Sequence, residues 1–191
     1  MAKRSTPRAH ELQAAAGKGT SDIIQPHLWV LFCGINPGLY SAITGNHFAR
    51  PGNRFWPSLH RSGFTPRQLH PSEEHELLDY GLGITNIAAR TTATAAELSP
   101  AEIVAGGEAL RAKVAQYQPR ALAVLGITAY RTAFQQPKAQ LGRQPQPLGD
   151  TLVWVLPNPS GLNAHYTPAA LAEVFGLFRQ ELTAAIGPYQ P

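Results

Sequence analysis

The sequence predicts a single α/β domain, a three-layer α/β/α sandwich around a central, mostly parallel sheet of about four strands. Three observations lead there. Four short apolar runs, each bounded by Gly, Pro or Asn, read as strands. They are continuously apolar, without the in-and-out alternation of a half-exposed sheet, which is how strands covered on both faces read. Segments of helical periodicity separate them, and alternation of strand and helix implies right-handed crossovers between parallel strands.

Taken in order, residues 1–22 mix Lys3, Arg4, Arg8 and Lys18 with small polar residues and show no clear periodicity, so they read as a mobile basic tail before one domain spanning 23–191. The first strand covers 28–35. Helical patterns follow at 54–61 and 72–80, then a strand at 83–88 and a helix over 100–117. A third strand covers 121–126, with a short helical pattern after Thr128. The fourth strand covers 152–156, and a closing helix runs from Pro168 to about Ile186. Residues 135–150, with Pro137, Pro145 and Pro147, are the least regular stretch and read as a surface connection. No internal repeat is visible.

Composition narrows the chemistry. A chain of 191 residues that is 43% hydrophobic and 15% charged can bury a sizeable core as one unit. Its single cysteine, Cys33, excludes an internal disulfide and sits in a strand, where it reads as packing. No CxxC or HExxH spacing occurs and the seven histidines form no ligand grouping, so neither metal nor cofactor is expected. The longest apolar run, 28–35, is too short for a bilayer, and the N-terminus lacks the apolar stretch of a secretory signal. The expectation is a soluble, intracellular protein in a reducing compartment. A net charge of +4 favours a polyanionic partner without naming it.

Two short motifs stand directly after strands: GINPG at 34–38 and NPSG at 158–161. Ligands of open parallel sheets bind beyond the carboxyl ends of the strands, so both loops should converge on one rim. Asn36 and Asn158 each precede a proline, which disfavours helical backbone, while Gly38 and Gly161 would permit sharp turns. An asparagine is no strong base, but its oxygen accepts and its NH2 donates, so it can orient a water or read a base edge. Asn-Pro alone is also a common turn dipeptide. Two such loops at strand ends favour a site.

GINPG, followed by ITGNHFARPGNRFW at 43–56 and LPNPSGLN at 156–163, resembles the mismatch-specific uracil and thymine DNA glycosylase family of the uracil-DNA glycosylase superfamily, in its bacterial mismatch uracil form. The resemblance runs from about residue 28 to 182, with support at 83–92 and 121–130. It implies that Asn36 positions a hydrolytic water and that Phe48 stacks on an extruded base. Main-chain amides near Ile35 and Phe48 would bond the uracil, and Ser41 would disfavour the thymine methyl. Asn158, a histidine in more distant members, would sit by the base or sugar. Gly161, Leu162 and Asn163 would form a wedge in the vacated stack, and Ser160 would touch a phosphate or else only stabilise its turn.

The implied partner is double-stranded DNA containing a uracil mispair, met by a monomer in the cytoplasm at the nucleoid, with no membrane involved. No lysine occupies either motif, so a Schiff base is not expected and hydrolysis should stop at an abasic site. Two departures matter. Ala89 occupies a position that is acidic in the family, leaving no carboxylate in 85–96, and Asn163-Ala164-His165 lacks a basic residue found in some relatives. A non-catalytic nucleic-acid or nucleotide binding module and a glycosylase of broader lesion range remain alternatives. Phe55 and Trp56 read as core anchors, Arg54 as a loop cap or phosphate contact, and Asp79 as structural. A core aromatic is the alternative for Phe48, but its place between two glycine- and proline-marked turns favours the pocket.

Overall fold

The computed structural model describes residue 14 and residues 19–190. Lys3, Arg4, Arg8 and Lys18, which carry the reading of a basic tail, lie outside the described residues. Five strands form one sheet: β1 (Val30–Gly34), β2 (Leu82–Asn86), β3 (Ala121–Leu125), β4 (Gly142–Arg143) and β5 (Leu152–Leu156), in the order β2-β1-β3-β5-β4. β2, β1, β3 and β5 are mutually parallel, and β4 runs antiparallel to β5 at one edge.

The four strands read from sequence are these parallel ones. β4 was not foreseen, because it lies in the stretch read as a surface connection and two residues show no periodicity. It pairs through Gly142 with Val155 and through Arg143 with Trp154. The Arg143 guanidinium also lies 5.4 Å from the centre of the Trp154 ring, a cation–π contact that covers the edge. At the opposite edge Ile23 exchanges backbone hydrogen bonds with Ile84 at 2.9 and 2.8 Å, which blunts β2.

Successive side chains of each parallel strand enter opposite layers, the reason their sequences are apolar throughout. Val30, Phe32, Ala123 and Trp154 join the core cluster that holds Phe55, Trp56, Phe175 and Phe178. Leu31, Cys33, Val124 and Val155 join the other, with Leu110, Val114, Tyr130 and Ala133. The helices supplying these layers are α2 (Phe55–Arg61) and α5 (Pro168–Ile186) on the first face, α3 (Pro100–Tyr117) and α4 (Ile127–Ala133) on the second. Phe55, Trp56 and Cys33 are core residues, as read, and burial pushes the Cys33 thiol far up. Among the described residues no helix is long and apolar enough to cross a membrane.

Local chemistry sets the helix starts. The Ser99 hydroxyl accepts from Glu102 N at 3.2 Å while the Glu102 carboxylate accepts from Ser99 N at 2.9 Å, and Pro100 occupies the first turn. Thr167 and Pro168 start α5 with one half of that pairing, the Thr167 hydroxyl accepting from Ala170 N. Residues Pro71–Tyr80 form a 3-10 helix, and a six-residue helix α1 (Leu39–Thr44) escaped the sequence reading because Ser41 is its only buried residue.

α3 also holds the loop after β2 in place. A Cβ on Gly106 would collide with the carbonyl of Ile87. Helix propensity alone would make Gly106→Ala stabilising by about 1 kcal/mol. Close approach reverses that sign: the substitution should destabilise by roughly 1–3 kcal/mol in urea unfolding, because the loop must move.

Candidate functional site

Chain leaving the carboxyl ends of β1, β2, β3 and β5 builds one rim, and within it lies a cleft of about 230 Å³. Gly34 lines it. A Cβ at Gly34 would stand 2.5 Å from Asn86 Oδ1 and 3.2 Å from Phe48 Cζ, so these two side chains close over the glycine. Ile87 N donates to Gly34 O at 3.0 Å and Ala88 N to Ile35 O at 2.9 Å, which carries the loops after β1 and β2 side by side beyond the sheet.

That pairing holds Asn36. Its amide nitrogen donates to Arg90 O at 2.9 Å and to Thr92 Oγ1 at 2.7 Å. A carbonyl can only accept, so the atom facing Arg90 O must be the nitrogen. Thr92 in turn donates its own hydroxyl proton to Thr94 O at 2.7 Å, leaving a lone pair for Asn36. With the NH2 engaged, Asn36 offers the cleft it lines a carbonyl oxygen, an acceptor.

The acceptors themselves are braced. Arg90 grips Glu102 through Nε at 2.7 Å and Nη2 at 3.1 Å, and Nη2 also reaches Glu97 O at 3.0 Å. The Arg90 bond, followed by those from the Ser99 backbone and side chain, holds the Glu102 carboxyl down at about 2. Loop and helix start are thereby tied together.

Phe48 also borders the cleft, its backbone in the left-handed region at φ 51°. Its ring stacks on Phe55 with centroids 4.2 Å apart at 30°, so it is both a pocket wall and a companion of the core. Flanking bonds maintain the unusual backbone. Glu74 Oε2 accepts from His47 N at 2.7 Å and lies 3.1 Å from His47 Nδ1, while Oε1 accepts from Asn46 Nδ2 at 3.3 Å. Trp56 Nε1 donates to His47 O at 3.2 Å, and Ser41 Oγ accepts from Ala49 N at 3.3 Å. Ser41 and His47 also line the cleft.

The second motif closes the cleft. Asn158, Ser160 and Leu162 line it and also line a neighbouring groove of about 670 Å³ that includes Ile127, Leu141 and His165. Asn158 Oδ1 accepts from Ser160 N at 2.9 Å, and Ser160 Oγ accepts from Leu162 N at 3.2 Å, so the serine does stabilise its turn while keeping a hydroxyl proton to donate. Asn163 uses its amide within the loop, donating to Asn158 O at 2.9 Å and accepting from His165 N at 3.0 Å. Leu162 is 71% exposed at the tip. Gly161 and Asn163 do not line the cleft.

Two glycine expectations change, and one of the two alternatives for Arg54 is observed. Gly38 has an ordinary extended backbone (φ −77°) and open space at its Cβ, so its turn needs no glycine. Gly161 is required by contact instead of by turn angle, since a Cβ would meet Gly52 O at 2.5 Å. Arg54 caps a loop through carbonyls of Gly161, Asn163 and Tyr166. Sequence reasoning missed Asn86 and Arg50, which also line the cleft; a polar residue closing an apolar strand was the available signal for Asn86.

Among the described residues no Asp or Glu lines the cleft, and Ala89 faces a separate groove beside Arg90 and Glu102. No group of three or more His, Cys, Asp or Glu among them could hold a metal ion. The arrangement suits a planar polar ring against Phe48 with amides at its edges, and a water on Asn36. Among the described residues its lining offers no carboxylate, and its one imidazole, His47, is engaged by Glu74 and Thr20.

A model of the uracil DNA glycosylase superfamily matches residues 21–181. The fold is similar to the solution NMR structure of a candidate uracil DNA glycosylase from Methanosarcina acetivorans, with TM-score 0.58 and 15% identity over 86% of this chain and 97% of that one.

The Glu74 anchor gives a stability test. Burial opposes its ionisation, but the bonds from His47 and Asn46 outweigh burial and hold the carboxyl below the usual range. A depressed carboxyl stabilises the fold above its unfolded value of about 4.3 and loses that contribution as pH falls through the folded value. Glu74→Ala should cost about 3 kcal/mol at pH 7 in urea unfolding, because it orphans buried polar partners. The deficit relative to the parent should shrink on acidification below about pH 4.

Proposed function

This chain belongs to the uracil DNA glycosylase superfamily, and we propose that it is a monofunctional DNA glycosylase that hydrolyses the N-glycosidic bond of uracil in mispaired duplex DNA. The observation that carries this reading is Asn36, whose NH2 is fully engaged by Arg90 O and Thr92 Oγ1 while its oxygen is left for the cleft that Phe48 borders.

In this reading the target nucleotide leaves the duplex and its base stacks on Phe48, with main-chain amides near Ile35 and Phe48 and the amides of Asn86 and Asn158 at its polar edges. Asn36 Oδ1 accepts a hydrogen bond from a water and aims its oxygen at the anomeric carbon. The glycosidic bond breaks with oxocarbenium character, leaving the electron pair on the base, and N–H donors stabilise that anion. Water then adds to the sugar and its proton is released to solvent or base. A neutral amide suffices because departure of the base, not deprotonation of water, carries the charge. Among the described residues no lysine lines the cleft and neither motif holds one, so no amine is placed for a Schiff base and the product is an intact abasic strand.

Flipping a base costs a few kcal/mol, least at a mispair, which gives mispaired uracil its advantage. Gly161, Leu162 and Asn163 form the wedge, and burying the exposed Leu162 in the vacated stack would return roughly 1.5–3 kcal/mol. Ser160 has its hydroxyl proton for a phosphate oxygen. Ser41, beside the Phe48 turn, narrows the space that a thymine methyl would need. Asn163 serves mainly to close the loop, so contacts to the opposite purine come from backbone and His165. The protein acts as a monomer at the nucleoid, without a cofactor.

Duplex DNA with uracil opposite guanine, treated with alkali after incubation, should show scission at the uracil. Absence of scission at excess protein with binding retained would favour a non-catalytic binding module, the reading suggested by the missing carboxylate. Asn36→Ala should lower the single-turnover rate about a hundredfold with little change in duplex affinity. Thr92→Val, which removes one acceptor of the Asn36 amide, should slow it about tenfold, the worth of one hydrogen bond.

A further inference from the structure

Leu162 stands between two carbonyls that share one partner. Arg54 Nη1 donates to Asn163 O at 3.0 Å, Nη2 donates to Gly161 O at 3.2 Å, and Nη1 also donates to Tyr166 O. Arg54 N adds a bond to Pro159 O at 2.9 Å. Both residues flanking the exposed leucine are thus drawn inward onto one half-buried guanidinium, and the side chain between them is turned out. The contact leaves little slack, because Gly161 packs against Gly52 O too tightly to admit a Cβ. No carboxylate pairs with Arg54 among the described residues, and the three guanidinium hydrogen bonds it makes there all go to backbone carbonyls. Arginine alone has a rigid planar fork of five donors able to hold several carbonyls at once.

Arg54 also precedes Phe55, the ring on which Phe48 stacks. One dipeptide therefore touches both the loop that carries Leu162 and the aromatic wall of the cleft.

We infer that Arg54 is a positioning residue: its guanidinium, by holding the carbonyls of Gly161, Asn163 and Tyr166, presets the loop that presents Leu162, and so acts on base flipping through the leucine without itself touching DNA. The inference rests on the glycosylase reading for its effect on rate, and on the hydrogen bonds alone for its effect on the loop. A plain phosphate contact is the competing role for an arginine here, and it predicts different behaviour with salt.

The test compares Arg54→Gln, Arg54→Lys, Leu162→Ala and the double variant Arg54→Gln/Leu162→Ala. Hydrogen–deuterium exchange over residues 159–166 should speed up at least tenfold in Arg54→Gln and in Arg54→Lys, which keeps the charge and loses the fork, with the central strands unchanged. Unchanged exchange in that segment would overturn the inference whether or not the protein is active. On duplex DNA with uracil opposite guanine, Arg54→Gln and Leu162→Ala should each slow single-turnover excision about tenfold. The double variant should be within about twofold of Leu162→Ala, since residues acting through one element are not additive. Rates that multiply to about a hundredfold loss, or a duplex-binding salt slope reduced by about one in Arg54→Gln, would assign it a separate phosphate contact instead. If Arg54→Gln fails to fold, Arg54→Lys and its double variant with Leu162→Ala carry the same comparison. Absence of excision by the unmodified protein would remove the glycosylase reading and leave the exchange result to decide the role of Arg54.

Discussion

Everything at the site follows from four strands running the same way. β1 lies between β2 and β3, so its carboxyl end opens beside the loops of both neighbours; its own crossover passes over the first face through α2, while the loops after β2 and β3 enter α3 and α4 on the second. Chain order along the sheet reverses direction there, which is where open parallel sheets leave a crevice. Close contact then shapes it. Gly126, at φ 138°, comes so near Ile35 that a Cβ would stand 3.3 Å from Ile35 Cδ1 and 4.0 Å from Asn158 Cβ. Gly34 plays the same part toward Asn86 and Phe48. Absent side chains on β1 and after β3 are what allow the polar groups of three strand ends to share one cleft.

The carboxylates around that cleft act as braces. Glu74 holds the turn carrying Phe48, Glu102 grips Arg90 behind Asn36, and Glu97 accepts from Thr94 N at 2.7 Å beside the carbonyl that takes the Thr92 proton. None of the three lines the cleft. Ionised carboxylates at the lining would repel both a phosphate backbone and a departing base anion, so their placement one layer back suits a polyanionic ligand. They supply order where neutral amides supply contacts. The same division explains how the site can lack an acidic residue at Ala89 and remain tightly built.

How far this could be read beforehand depended on whether a feature leaves a periodic or local trace. Strands buried on both faces, such as 28–35 and 121–126, declare themselves by unbroken apolar sequence, and α3 and α5 by Ser99-Pro100 and Thr167-Pro168 at their starts. β4 and α1 are too short for any period to register. At the site, Asn36, Phe48 and Asn158 stood out by motif, and the cleft gathers them. Arg54 reads as a loop cap or phosphate contact, but which loop it caps is not legible, since its partners lie 107, 109 and 112 residues away and are carbonyls, which every residue possesses. Glu74 likewise meets His47 across 27 residues with no spacing rule to suggest it. Motifs revealed the groups facing the cleft; the groups holding them are set by tertiary approach.

The holding groups decide whether a leucine could work as a wedge at all. Ordering backbone costs about 1–2 kcal/mol per residue, so fixing even three residues of a slack loop upon binding would consume the roughly 1.5–3 kcal/mol that burying one leucine returns. A wedge is useful only if its loop is ordered beforehand. Here the loop is ordered by bonds from Arg54, by Asn163 to Asn158 O, and by the Asn163 N to Ser160 O turn at 3.0 Å. That cost is met when the protein folds, where the core can offset it, and not when DNA binds. The same loop carries Asn158 into the cleft, so under the proposed function its rigidity would serve both sides: a base entering and a leucine leaving solvent would meet one preformed surface.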